Sequence, residues 1–295
     1  MNLKDFFFGL DSLFSQKNLP AVENYLHQHL ETAKNCGDTC YQLAVLNEQV
    51  GYYRSLSLIS QALTAGEQAM AIISAPDFTE NIAAATTMLN VATALRAGGH
   101  NIKALELYGK VDIIYSAALA DGDTRRAALY NNMAQALMAN KDTKAALASL
   151  QKALTILELS PKACAETATT HSNIALLYMS LGNNETAAVH LQAALSGFET
   201  LDHEDAHYPA ALAAMAQLLY IEKKYSAAID YYRLALNKNA AVFGENADYA
   251  RICRNCARAY SMSQMPEQAE EMLQKAQAVE SSLKDANRTR QRSDQ

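Results

Sequence analysis

A small residue returns every 41 or 42 positions along this chain, at Gly9, Val50, Ala92, Ala134, Ala175, Ala216 and Ala257. Twelve residues after each of them stands an alanine: Ala21, Ala62, Ala104, Ala146, Ala187, Ala228 and Ala269. Seven further on come Gln28, Ala69, Val111, Ala153, Ala194, Ala235 and Ala276. Small residues at fixed helical offsets let helices approach closely. A period of this size describes a stack of units, each covering the apolar face of its neighbour. The expected fold is all-α: a solenoid of about seven helix-turn-helix units over residues 1–284, followed by a polar C-terminal tail over 285–295.

Two further slots repeat. Three residues after the first small residue stand Tyr53, Leu95, Leu137, Tyr178, Leu219 and Tyr260, with Ser12 the exception in the first unit. Four residues after the second stand Tyr25, Tyr108, Leu150, Leu191, Tyr232 and Leu273, with Gly66 the exception. This small–large–small–large pattern resembles the tetratricopeptide repeat, in the longer spacing of kinesin-light-chain-type repeats and of free-standing bacterial proteins built from them. The resemblance implies a right-handed superhelix whose concave wall is lined by the first helix of each unit, with ligands along that wall. It is specific for fold and silent about the ligand.

The period places each first helix from about eight residues before the small anchor to five after it, and each second helix from about eight to twenty-three after it. Gly98-Gly99, Asn140-Lys141-Asp142, Gly182-Asn183-Asn184 and Gln264-Met265-Pro266 fall where the first helix must stop. Between units, Asp38-Thr39, Asp77-Phe78-Thr79, Asp123-Thr124 and Gly244-Glu245-Asn246 supply capping oxygens or a break. The polar run of Glu267, Gln268, Glu270, Glu271, Gln274 and Lys275 suits the helix that ends a stack.

A net charge of -6 argues against a nucleic-acid partner, which needs a basic surface. No run approaches the ~18 apolar residues of a membrane span, and the start of the chain lacks the hydrophobic stretch of a secretory signal. The expected compartment is the cytoplasm, with no membrane association. Five cysteines without a secretory context argue against a disulfide framework. Cys253 and Cys256 form a C-x-x-C that occupies two core slots of the repeat, aligned with Tyr130/Met133 and His171/Ile174.

One stretch matches a catalytic motif. His203-Glu204-Asp205-Ala206-His207 reads H-E-x-x-H, which in zinc peptidases needs both histidines one turn apart on a continuous helix. The period puts it between helices, and Pro209 disfavours helix just before it. A metal-dependent hydrolase is therefore the remote alternative. Nucleotide-binding and serine-hydrolase motifs do not occur, so the chain is read as a non-enzyme without cofactor or metal.

At about 100° per residue, the offsets -6, -3, +1 and +4 from each anchor share one stripe of the first helix, with -2 at its edge. They give Asn47, Glu48 and Arg54; Asn90, Thr93 and Arg96; Asn131, Asn132, Gln135 and Met138; Ser172, Asn173 and Met179; Gln217 and Tyr220; and Arg251, Arg254, Asn255, Arg258 and Ser261. The amides Asn90, Asn132, Asn173 and Asn255 recur at -2. They either pair with a bound peptide backbone or satisfy a neighbouring helix. Arg251, Arg254 and Arg258 either grip carboxylates of a ligand or pair with acids such as Asp248 and Glu245. The carboxylate clamp of chaperone-binding repeats is not reproduced by any adjacent trio.

The leading expectation is a non-enzymatic scaffold binding a partly acidic protein or peptide segment along the first helices. The alternative is a regulatory signalling-peptide sensor without a DNA-binding domain. Phe6, Phe7 and Phe8 cannot all face inward on one helix, so a homodimer through that aromatic edge is a further expectation.

Overall fold

The computed structural model describes residues 2–16, 18–78, 81–160, 162–202 and 205–293, with the backbone only for Asp77 and residues 286–293. Among the described residues are fourteen α-helices, one short 3-10 turn and no strand. They form two compact units. The first, Met1–Leu119, holds α1 (Leu3–Ser15), α2 (Leu19–Cys36), α3 (Thr39–Ser55), α4 (Ile59–Ile73), the 3-10 turn Pro76–Phe78, α5 (Ile82–Ala97) and α6 (Asn101–Ala118). The second, Ala120–Gln295, holds α7 (Thr124–Ala139), α8 (Thr143–Glu158), α9 (Cys164–Ser180), α10 (Asn184–Glu199), α11 (Tyr208–Ile221), α12 (Tyr225–Phe243), α13 (Ala247–Met262) and α14 (Pro266–Ser293).

Within each unit the helices are successive hairpins. Each first helix packs on its own second helix, and each second helix on the next first helix. Successive first helices also touch: α3 on α5, α7 on α9, α9 on α11 and α11 on α13. The periodic small residues make this possible. Val50, Ala92, Ala134, Ala175 and Ala216, and their second-helix counterparts Ala62, Ala104, Ala146, Ala187 and Ala228, are all fully buried. The large slots fill the space between: Tyr108, Leu150, Leu191 and Tyr232 are fully buried, each contributing about 1.5–3 kcal/mol by leaving water. Gly66, the exception in that slot, lies where α4 comes so near α5 that an added Cβ would sit 3.2 Å from a Val91 methyl.

One backbone motif joins the two helices of every hairpin from α3 to α14. The residue seven after the anchor has a left-handed backbone: Ser57, Gly99, Lys141, Gly182, Lys223 and Gln264, with φ between 59° and 82°. Its N–H donates to the carbonyl three residues back, as in Gly182 to Met179 at 3.0 Å. The next N–H donates five residues back, as in Asn183 to Tyr178 at 2.9 Å. This is the Schellman termination, which satisfies two orphan carbonyls at the end of the first helix. The residue that closes it is also the N-cap of the second helix; there the Asp142 carboxylate accepts from Ala145 N at 3.0 Å and Asn183 Oδ1 from Thr186 N at 3.1 Å. A single residue thus ends one helix and starts the next, which fixes the hairpin.

Asp38, Asp123 and Asn246 cap α3, α7 and α13 as their sequence positions suggest. For α5 the cap is Asn81 rather than the Asp77–Thr79 segment: its carbonyl accepts from Ala83 N and Ala84 N. Thr79 lies outside the described residues. In the first hairpin Leu10 and Val22 are buried, and Gly9 and Ala21 half-buried. Gly9 faces Tyr25, the large-slot residue of its unit, whose hydroxyl donates to the Phe6 carbonyl at 3.2 Å. Phe6 is fully buried, whereas Phe7 is 39% and Phe8 79% exposed. After Leu283 the polar segment prolongs α14 to Ser293, since it carries no glycine or proline to stop it.

In the α9–α10 hairpin the Nδ1 atoms of His171 and His190 lie 2.9 Å apart, and the His190 ring stacks 6.0 Å from Tyr178. One imidazole donates and the other accepts, so the pair is built for two neutral rings. Burial holds both below the usual histidine value of 6.5, and His190 depresses His171 further. Folding therefore gains from the neutral pair above about pH 6.5, and that gain is lost as the pH falls through the depressed values, because the unfolded chain takes up protons first. The urea midpoint is expected to drop between pH 7 and 5, and to drop less in His171→Gln.

The turns predict opposite signs for two substitutions. Lys223→Gly relieves a side chain from a left-handed backbone and should stabilise by roughly 0.5–1 kcal/mol, whereas Gly182→Ala should destabilise by about 1 kcal/mol. Thermal melts followed by circular dichroism check both.

Candidate protein-interaction face

The stripe residues fall on the first helices as the spacing requires, but many of their polar groups are already engaged. Asn90 Nδ2 donates to Asn47 Oδ1 at 2.8 Å, from α5 to α3. Asn173 Nδ2 donates to Asn131 Oδ1 at 2.8 Å, from α9 to α7. These two contacts are the same contact: an asparagine three before one anchor pairs with an asparagine two before the next. Around the second pair a small network closes. Asn131 Nδ2 donates to Thr170 Oγ1 at 2.8 Å, and Gln135 Nε2 donates to Asn173 Oδ1 at 3.1 Å. Asn131 and Asn173 are buried, so these amides hold repeat to repeat.

Asn132 and Asn255 stand differently. Both are half-buried and make no side-chain hydrogen bond among the described residues. For Asn255 the reason is visible one repeat earlier, where α11 presents Ala213 instead of an asparagine. Gln217 accepts from the hydroxyl of buried Tyr232 at 3.0 Å, and Tyr220 leans on Tyr225 with ring centres 5.5 Å apart.

The three arginines of α13 are all exposed, and two are paired within the chain. Arg251 Nη2 lies 3.0 Å from Asp248 Oδ1. Arg254 meets Glu280 of α14 through both arms, Nε to Oε1 at 2.8 Å and Nη2 to Oε2 at 2.5 Å. That fork raises the Arg254 guanidinium and lowers the Glu280 carboxyl. Arg258 has no ion pair among the described residues. Sequence spacing placed Arg254 on the correct helix; it held no signal for a carboxylate 26 residues downstream. At the other end, Arg54 and Arg96 are half-buried at the same offset on α3 and α5, while Glu48, whose carboxyl burial pushes up, bonds to Asn47 at 3.0 Å. Met138 and Met179 are half-buried, Thr93 and Ser172 buried and Ser261 exposed.

His203 and Glu204 of the H-E-x-x-H match lie outside the described residues. His207 is exposed, and its backbone N–H donates to Asp205 Oδ1 at 2.7 Å in the turn before α11. It precedes the helix rather than riding on one, whereas the zinc motif needs a continuous helix through both histidines. Cys253 and Cys256 are fully buried, and burial pushes their thiols up to about 11 and about 12. At neutral pH they are protonated core groups. Among the described residues no helix is long and apolar enough to cross a membrane.

Hairpins of this length, stacked through periodic alanines, define a class of helical-repeat proteins. Residues 125–200 and 208–279 match the family model of the tetratricopeptide repeat, and the chain belongs to that family. A tetratricopeptide repeat protein from Parabacteroides merdae has a similar structure, with a TM-score of 0.59 at 15% identity over 96% of each chain. BtubC (BKLC) from P. vanneervenii gives a TM-score of 0.57 at 18% identity, covering 78% of this chain and 91% of that one. A chain of the APC/C heterotetramer Cut9–Hcn1 gives 0.59 at 16% identity, covering 93% of this chain and 52% of that one. No curated protein matches the sequence. Tetratricopeptide arrays serve as scaffolds for protein interaction, and the fold places this chain among them.

Two asparagines from the same sequence ladder should differ in their response to truncation. Asn173→Ala strands Asn131 and Gln135 and should cost about 1–3 kcal/mol. Asn132→Ala should stay within about 0.5 kcal/mol. Urea unfolding of the two variants makes the comparison.

Proposed function

We propose that this chain is a non-enzymatic scaffold that holds a partly acidic protein or peptide segment along its first helices. The carrying observation is the contrast on that face: Asn131, Asn173, Arg251 and Arg254 are engaged within the chain, while Asn132, Asn255 and Arg258 present unengaged polar groups. A backbone laid along α13 finds an amide that donates and accepts. An acidic side chain beside it finds a guanidinium without a competing carboxylate. The negative net charge makes a nucleic acid a poor partner for the same face. A chain of similar fold belongs to the APC/C hetero-tetramer Cut9–Hcn1, an assembly of different proteins, which supports a partner-binding reading. The cytoplasm is the compartment in which such a scaffold would work.

A photo-crosslinking amino acid at Asn255 or Arg258 should capture a partner in cells, and the same group at Val189, exposed on a second helix, should not. Charge reversal, Arg258→Glu, should weaken binding of the identified partner about tenfold. Equal capture from Val189 would remove the first-helix face from the proposal.

A further inference from the structure

Arg54 and Arg96 present an electrostatic problem that the chain does not solve from its own residues. They occupy the same offset in consecutive repeats, on α3 and α5, which pack together. Each Nε is shut off from solvent with no hydrogen-bond partner. Neither guanidinium has a carboxylate partner among the described residues. Both interact with the hydroxyl of Tyr108, which is fully buried on α6 and lies 3.2 Å from Thr93 Oγ1. Two cations therefore converge on one neutral phenol. The consequence is visible in Arg54, whose guanidinium is held below its usual value, first by burial and then by the charge of Arg96.

Desolvated like charges beside each other destabilise a fold unless a counter-charge joins them. Guanidinium forks are also the groups best matched to a planar or tetrahedral oxyanion. The geometry points to a binding site for one oxyanion, a carboxylate or a phosphate, between Arg54 and Arg96, with Tyr108 as the neutral floor. The two arginines are the binding groups. The Thr93 hydroxyl donates to Leu89 O at 2.8 Å and lies within hydrogen-bond reach of the Tyr108 hydroxyl. This site goes beyond the scaffold reading, since it is tested with small anions alone; its failure would leave the first-helix proposal standing.

The full chain is titrated at constant ionic strength with sodium acetate, N-acetylglutamate or inorganic phosphate, against sodium chloride. Melting temperature and the Arg Nε–H resonances are followed. The wild type should melt higher in at least one oxyanion than in chloride, with two Nε–H signals shifting together. Arg54→Gln and Arg96→Gln should each weaken that response at least fivefold. In chloride alone Arg54→Gln should melt no lower than the wild type, because it removes a repelled charge; a variant that simply failed to fold would melt lower in every buffer. A response to the carboxylates assigns a carboxylate ligand, and a response to phosphate alone assigns a phosphate. No anion-specific response, or one that survives in both variants, would overturn the site.

Discussion

The left-handed residue seven positions after each anchor governs the structure from α3 onward. Two main-chain hydrogen bonds close there, one helix stops, and the next helix begins within a single residue. The reversal of the chain is thereby written into the backbone at one residue, and the packing of the two helices supports it. Side chains then fill similar spaces in each unit, with a small residue recurring at three sites and a large one at the two slots that alternate with them. Four of the six turns place a non-glycine residue in that conformation. The packing of the hairpins is strong enough to hold those four residues there despite the local cost.

Much of this was legible in the chain. The alanine period carries the helix count, the hairpin pairing and the core, because buried positions on packed helices tolerate few substitutes for a small side chain. The first hairpin keeps the approach of Gly9 to Tyr25 that the pattern implies, while its most buried residues are Leu10 and Val22, one position beyond the small ones. The period alone does not single those two out. Before α5 the chain does break where Asp77 and Phe78 stand, in the 3-10 turn Pro76–Phe78, and the cap proper is Asn81, one of several competent capping residues in that stretch.

The interaction face divides into what a helical wheel can show and what it cannot. Offsets locate Asn90, Asn132, Asn173 and Asn255 on one edge. Whether each amide is free depends on a partner about 42 residues away on another helix, which the wheel does not contain. The -3 asparagines Asn47 and Asn131 are that partner for Asn90 and Asn173. The arginines behave alike: spacing aligns Arg251, Arg254 and Arg258, while Asp248 and Glu280 decide which are occupied. Arg54 and Arg96 show the converse case, in which alignment across repeats brings two like charges together instead of a charge and its mate.

The paired amides also make the repeats non-interchangeable. A copy of the α11–α12 hairpin set in place of α9–α10 would keep the alanine packing, yet it offers Ala214 where Asn131 needs an amide. Growth of such an array by duplication must therefore copy neighbouring hairpins as couples, or leave a buried asparagine without its mate at the seam.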